Sequence, residues 1–115
     1  MIGFLLSTAW FGANNTSFLN SSPIPIAIKG SIVQGIPKSN SIQATINKHL
    51  LSVVFLENLG EVTLEVTTAT GWEVETSAIH TPNGVNFYIP NTGSYIVTFT
   101  LPDGDKYYGE FEVTD

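Results

Sequence analysis

An antiparallel β-sandwich is the fold that this chain predicts, and three observations carry the prediction. Apolar and polar residues alternate with a period of two over most of the 115 residues, most cleanly in Val62-Thr63-Leu64-Glu65-Val66-Thr67. Glycine, proline and asparagine turns interrupt the alternation at spacings of about 8–12 residues. No segment repeats its apolar residues at the three- and four-residue intervals of an amphipathic helix. Strands with one apolar face must bury that face on a second sheet. At this length the economical arrangement is an all-β, immunoglobulin-like antiparallel sandwich of seven to eight strands, with a small closed barrel as the alternative. The chain has no cysteine, so the sandwich carries no disulfide.

In chain order, residues 1–13 come first. Ile2 to Phe11 is apolar, has the length of a signal-peptide core and is too short to span a bilayer; Gly12 and Ala13 follow. The segment reads as the remnant of a signal peptide without its basic start; the competing reading is a first strand that folds with the domain. Residues 14–23 form a polar spacer. Its three Asn-x-Ser/Thr matches, at Asn14, Asn15 and Asn20, are what such a composition yields by chance. The sandwich domain is expected over residues 24–115.

Ile24, Ile26 and Ile28 alternate with Pro25 and Ala27, and Pro25 cannot donate to a ladder, so the first strand should lie at an edge. An extended piece over 31–33 precedes a loop broken by Gly35 and Pro37. Ile42, Ala44 and Ile46 share a face of the next strand, Asn47-Lys48 turns it, and Leu51, Val53 and Phe55 return. Leu50, Val54 and Leu56 make the other face of that strand apolar, which predicts a central, well-covered strand. Val62, Leu64 and Val66 point inward; after Thr70-Gly71, Trp72, Val74 and Thr76 oppose Glu73 and Glu75. Pro82-Asn83-Gly84 turns into Val85, Phe87 and Ile89. The last hairpin is the plainest: Tyr95, Val97, Phe99 and Leu101 inward, a Pro102-Asp103-Gly104-Asp105 turn, then Tyr107, Gly109, Phe111 and Val113 inward.

Several stretches together resemble a domain-of-unknown-function family of small secreted Bacteroidetes proteins. They are Ile28-Lys29-Gly30, Ser39-Asn40-Ser41, Leu51-x-Val53-x-Phe55, Leu59-Gly60-x-Val62-Thr63, Thr70-Gly71-Trp72, Gly93-x-Tyr95-x-Val97 and Tyr108-Gly109-Glu110-Phe111. The resemblance spans roughly residues 26–114. It implies an immunoglobulin-like sandwich, export and no known activity, and it supplies no catalytic residue. Family members usually open on a clear signal peptide, from which this chain departs.

Composition narrows the function. Four basic and ten acidic residues give a net charge of −6, which argues against nucleic acid and against a polybasic membrane anchor. Only 12% of residues are charged, a share that suits exported β proteins. The absence of cysteine removes thiol catalysis, Cys-ligated zinc and iron–sulfur clusters. His49 and His80 form no zinc motif, and no serine sits in a Gly-x-Ser-x-Gly turn. Glu61, Glu65, Glu73 and Glu75 are expected on one outward, solvated hairpin face, where nothing tunes them for acid–base work. Asp103 and Asp105 offer too few oxygens for calcium and suit a turn. Tyr95, two residues after Gly93, suits a corner hydrogen bond to upstream backbone.

Tyr88, Tyr108 and Trp72 remain as candidate contacts for a partner or glycan. The expectation is a secreted or periplasmic, non-catalytic binding module with no cofactor and no transmembrane segment. Its partner is a protein; the alternatives are a carbohydrate, or self-association through an edge strand donated by Ile24–Ile28.

Overall fold

The computed structural model describes residues 22–31 and 38–115. The expectations for residues 1–13, for the spacer up to residue 21 and for the loop over 32–37 lie outside the described residues. Nine strands form among the described residues: β1 (Ile24–Ile26), β2 (Lys29–Ser31), β3 (Ile42–Asn47), β4 (Leu50–Phe55), β5 (Glu61–Thr68), β6 (Glu73–His80), β7 (Val85–Tyr88), β8 (Gly93–Thr100) and β9 (Lys106–Val113). A single 3-10 turn at Ser39–Ser41 is the only helical element among the described residues. Two antiparallel sheets result, ordered β1-β3-β4-β7 and β2-β9-β8-β5-β6, so the closed-barrel alternative does not hold.

The period-two pattern produces this layering directly. On β5, Val62, Leu64 and Val66 are fully buried while Glu61 and Thr63 face solvent. On β8 and β9 the alternation is equally strict: Tyr95, Val97, Phe99, Tyr107, Phe111 and Val113 all enter the core. Phe55 of one sheet meets Phe99 of the other edge-to-face at 6.1 Å, an arrangement that aromatic quadrupoles favour. Tyr95 stacks on Phe111 within its own sheet at 5.7 Å, and its hydroxyl donates to the Asn91 carbonyl oxygen at 2.6 Å. This is the corner bond that the Gly-x-Tyr spacing predicted.

The first strand candidate divides in two. Ile24–Ile26 pairs with β3, the chain crosses between the sheets at Ala27-Ile28, and Lys29–Ser31 pairs with β9. Two glycines permit the crossing. A Cβ on Gly109 would lie 2.6 Å from Ile26 Cγ2 and 3.0 Å from the Ala27 carbonyl oxygen, and one on Gly30 would lie 2.3 Å from Tyr107 Cδ1. Pro25 does lie on an edge strand.

Three expectations about side-chain placement require correction. The β3–β4 turn is Lys48-His49, with Asn47 paired to Leu50; Lys48 takes the left-handed conformation at φ 58°. β4 lies inside its sheet, but its outer face is not covered by any described residue: Leu50, Val54 and Leu56 are 40%, 49% and 59% exposed. A bulge between Val66 and Thr67 shifts the β6 register so that Thr67 pairs with Glu73 and Val66 with Glu75. One extra residue, Val74, therefore separates Glu73 and Glu75 onto opposite faces. Glu73 shares the outer face with Glu61 and Glu65, whereas Glu75 takes the face that carries the core.

Candidate functional site

Charge is segregated between the two outer faces. On the five-stranded sheet the outward positions include Glu61, Glu65, Glu73, Glu110 and Glu112, with Lys29 and Lys106 near the β2–β9 edge. Ser94 donates its hydroxyl to Glu112, and His80 lies 3.9 Å from Glu61. On the four-stranded sheet the outward rows are Asn47–Leu50–Tyr88, Pro25–Thr45–Ser52–Asn86 and Gln43–Val54. None of these residues carries a charge. Leu50, Val54 and Tyr88 are exposed there, and Leu56 continues the apolar line beyond β4. This face combines apolar side chains with amides and hydroxyls, so it can exclude water from a partner without desolvating an ion.

The three aromatic candidates do not meet. Tyr88 stands on the outer face of the four-stranded sheet at 67% exposure, while Tyr108 stands on the outer face of the other sheet between Thr98 and Lys29. Trp72 sits at the β5–β6 hairpin tip at 76% exposure; its N–H donates to Thr68 Oγ1 at 3.0 Å and its carbonyl accepts from Thr68 N. Tyr88 pairs across the strands with the exposed Leu50. The sequence showed Leu50, Val54 and Leu56 as apolar on the second face of β4, but the pattern alone does not distinguish a covered face from an open one.

His49 anchors the Tyr88 end of this face. Its ring stacks on Tyr88 at 5.5 Å; Nδ1 lies 2.7 Å from the Ile89 carbonyl oxygen and Nε2 lies 2.6 Å from Asp115 Oδ1. Both partners are acceptors, so the doubly protonated ring satisfies both. The Asp115 carboxylate first, and the Ile89 carbonyl second, hold the His49 pKa above its ordinary value. At the opposite end, Glu57 accepts from the Ser41 hydroxyl and lies 3.4 Å from Lys38 Nζ; the Ser41 bond chiefly lowers its pKa.

The concave features contain little chemistry. A groove of about 390 Å³ beside β1 and β3 is lined by residues such as Pro25, Ile42, Gln43 and Thr45, and none of its lining residues titrates. A second, of about 380 Å³, has Glu110 and Glu112 as its only titratable walls besides the buried Tyr95. Among the described residues no three His, Asp or Glu side chains converge as a metal site would require. In the β8–β9 turn, Asp103 Oδ1 accepts from Asp105 N at 3.0 Å, and Asp105 is buried. No helix among the described residues is long and apolar enough to cross a membrane.

Comparison with known proteins supports the architecture. The chain is similar to a crystallographically solved DUF3244 family protein with an immunoglobulin-like β-sandwich fold from Bacteroides vulgatus, with a TM-score of 0.66 over 79% of this chain and 98% of the other. The fold is an immunoglobulin-like β-sandwich. At 18% identity the likeness reports on fold, and it agrees with the resemblance drawn from the sequence motifs to Bacteroidetes proteins of unknown function. No family model matches the chain, and no curated protein matches it.

Proposed function

We propose that this domain is a non-catalytic binding module, exported to the periplasm or cell surface, that holds a protein partner on the outer face of its four-stranded sheet. The observation that carries the reading is the uncharged face itself. An acidic chain has placed all its glutamates but Glu57 on the strands of the other sheet and left Leu50, Val54, Leu56 and Tyr88 exposed. Residues of this kind give contact area, while the flanking Asn47, Ser52 and Asn86 give hydrogen bonds at little desolvation cost. The low share of charge and the apolar stretch over residues 2–11 support export.

The test is capture from the producing cell's envelope fraction with the folded chain as bait. Leu50→Glu and Val54→Glu together should abolish capture without unfolding the domain, because both side chains already face solvent. Glu65→Lys on the opposite sheet should leave it intact. Equal capture by both variants refutes the placement. A second reading, carbohydrate binding, is supported by the exposure of Tyr88 on the same strand face as the Asn86 amide. A glycan array that responds to wild type and not to Tyr88→Ala would favour it over the protein reading.

A further inference from the structure

Among the described residues the two sheets are unequal, and the inequality leaves one strand position without an occupant. Five described strands face four. The inner face of β5 is fully buried at Val62, Leu64 and Val66, but on β6 only Ile79 is buried; Ser77 is half-exposed and Glu75 is exposed. The first half of β6 thus lacks a strand opposite it among the described residues. The strand that ends the four-stranded sheet on that side is β7.

β7 is also the least guarded edge. β1 carries Pro25, β2 is three residues long with Lys29, and β6 is broken by its bulge and carries Glu73. Prolines, lysines and bulges are the usual devices that keep an edge from accepting another strand. Val85-Asn86-Phe87-Tyr88 contains no charge, no proline and no bulge. Its hydrogen-bonding phase is set by Ile89 N, which donates to the His49 carbonyl at 2.8 Å. Antiparallel pairing alternates, so Val85 and Phe87 also turn their backbone groups toward β4, while Asn86 and Tyr88 turn theirs outward.

We infer that β7 is a docking edge for an extended strand of a protein partner, and that this strand carries a basic side chain opposite Glu75. The added strand pairs with the outward N–H and C=O groups of Asn86 and Tyr88, and its inward residues lie over β6. Phe87 and Val85, which are only partly buried, gain an apolar neighbour. Glu75 faces the same space, so the inward residue nearest to it has to be a lysine or arginine to avoid stranding a carboxylate under the new strand. This charge requirement argues for another chain. Residues 1–21 and 32–37 contain no lysine or arginine to set against Glu75. The inference rests on the reading of the domain as a protein-binding module and specifies where and how the partner sits.

The probe is a capped heptapeptide of alternating valine and threonine with one central lysine, compared with the same peptide carrying glutamate there. Binding to the full chain is followed by amide chemical shifts. The lysine peptide should shift the Asn86 and Tyr88 amides and bind about tenfold tighter than the glutamate peptide, the worth of one charge-assisted hydrogen bond. Glu75→Gln should remove that preference, and Glu65→Gln should not. Asn86→Pro should abolish binding of both peptides while the domain stays folded, because the lost N–H points away from β4. Three results overturn the inference: unshifted Asn86 and Tyr88 amides, equal affinity for the two peptides, or slow exchange of those amides in the isolated monomer, which would mean the edge is already covered. If Asn86→Pro captures the envelope partner as well as wild type while the Leu50 and Val54 variant does not, strand addition falls and protein binding stands.

Discussion

Replacing Gly109 with alanine tests the crossing on which the N-terminal edge of the sandwich depends. The new Cβ would stand 2.6 Å from Ile26 Cγ2, 3.0 Å from the Ala27 carbonyl oxygen and 3.1 Å from Ile28 Cδ1. Carbon–carbon contacts settle at about 3.5–4.0 Å, so roughly 1 Å of movement is required. The neighbours cannot yield freely, since Ile26 is paired to Ala44 and Gly30 to Tyr107 on either side of the crossing. Overpacking of this kind costs about 1–3 kcal/mol. Alanine recovers about 0.5–1 kcal/mol of backbone entropy in a strand, because Gly109 needs no left-handed conformation. Taking the middle of each range, the net loss is about 1 kcal/mol. Urea unfolding followed by circular dichroism should show a lower midpoint at unchanged slope. A variant as stable as wild type, or more so, refutes the argument, because in an open strand the entropy gain alone would decide the sign.

Two further perturbations probe single polar groups. Thr81 is buried; its hydroxyl accepts from Leu59 N at 2.6 Å and donates to the Gly60 carbonyl at 2.6 Å. Thr81→Val keeps the shape and strands both groups, so it should destabilise by about 1–3 kcal/mol in the same urea assay; a change near zero contradicts it. The raised His49 pKa makes part of the stability depend on pH. Because the folded state holds this proton more tightly than the unfolded chain, the contribution is full below the unfolded value of about 6.5 and is lost as pH rises through the folded value. Asp115→Asn should therefore lower stability most in mildly acid solution and converge with wild type above that transition. Parallel profiles for the two proteins would show that Asp115 does not hold the proton.

How legible each element was depended on whether a strand is alternating and covered on one side only. β5, β8 and β9 satisfy this, and the inward sets at Val62 to Val66, Tyr95 to Phe99 and Tyr107 to Val113 follow from period two alone. The Gly93-x-Tyr95 spacing likewise anticipated the bond to Asn91. The crossing at Ala27-Ile28 was hidden because Ile24, Ile26 and Ile28 keep their alternation through a change of sheet. Gly30 and Gly109, each intolerant of a Cβ, were the available signal. Val74 could not be read as a bulge, since the extra residue leaves no mark on composition, and it moved Glu75 to the other face. Leu50, Val54 and Leu56 were legible as apolar, but coverage is a tertiary property. Asp105 is buried in a turn whose residues otherwise read as exposed.

Photo-cross-linking from the two outer faces tests the placement of the partner most directly. A photoreactive side chain is introduced at Val54 on the uncharged face or at Glu110 on the acidic face, and the folded protein is irradiated with the producing cell's envelope fraction. A discrete adduct with another protein is expected from position 54 and none from position 110. Adducts from position 110 alone would contradict it.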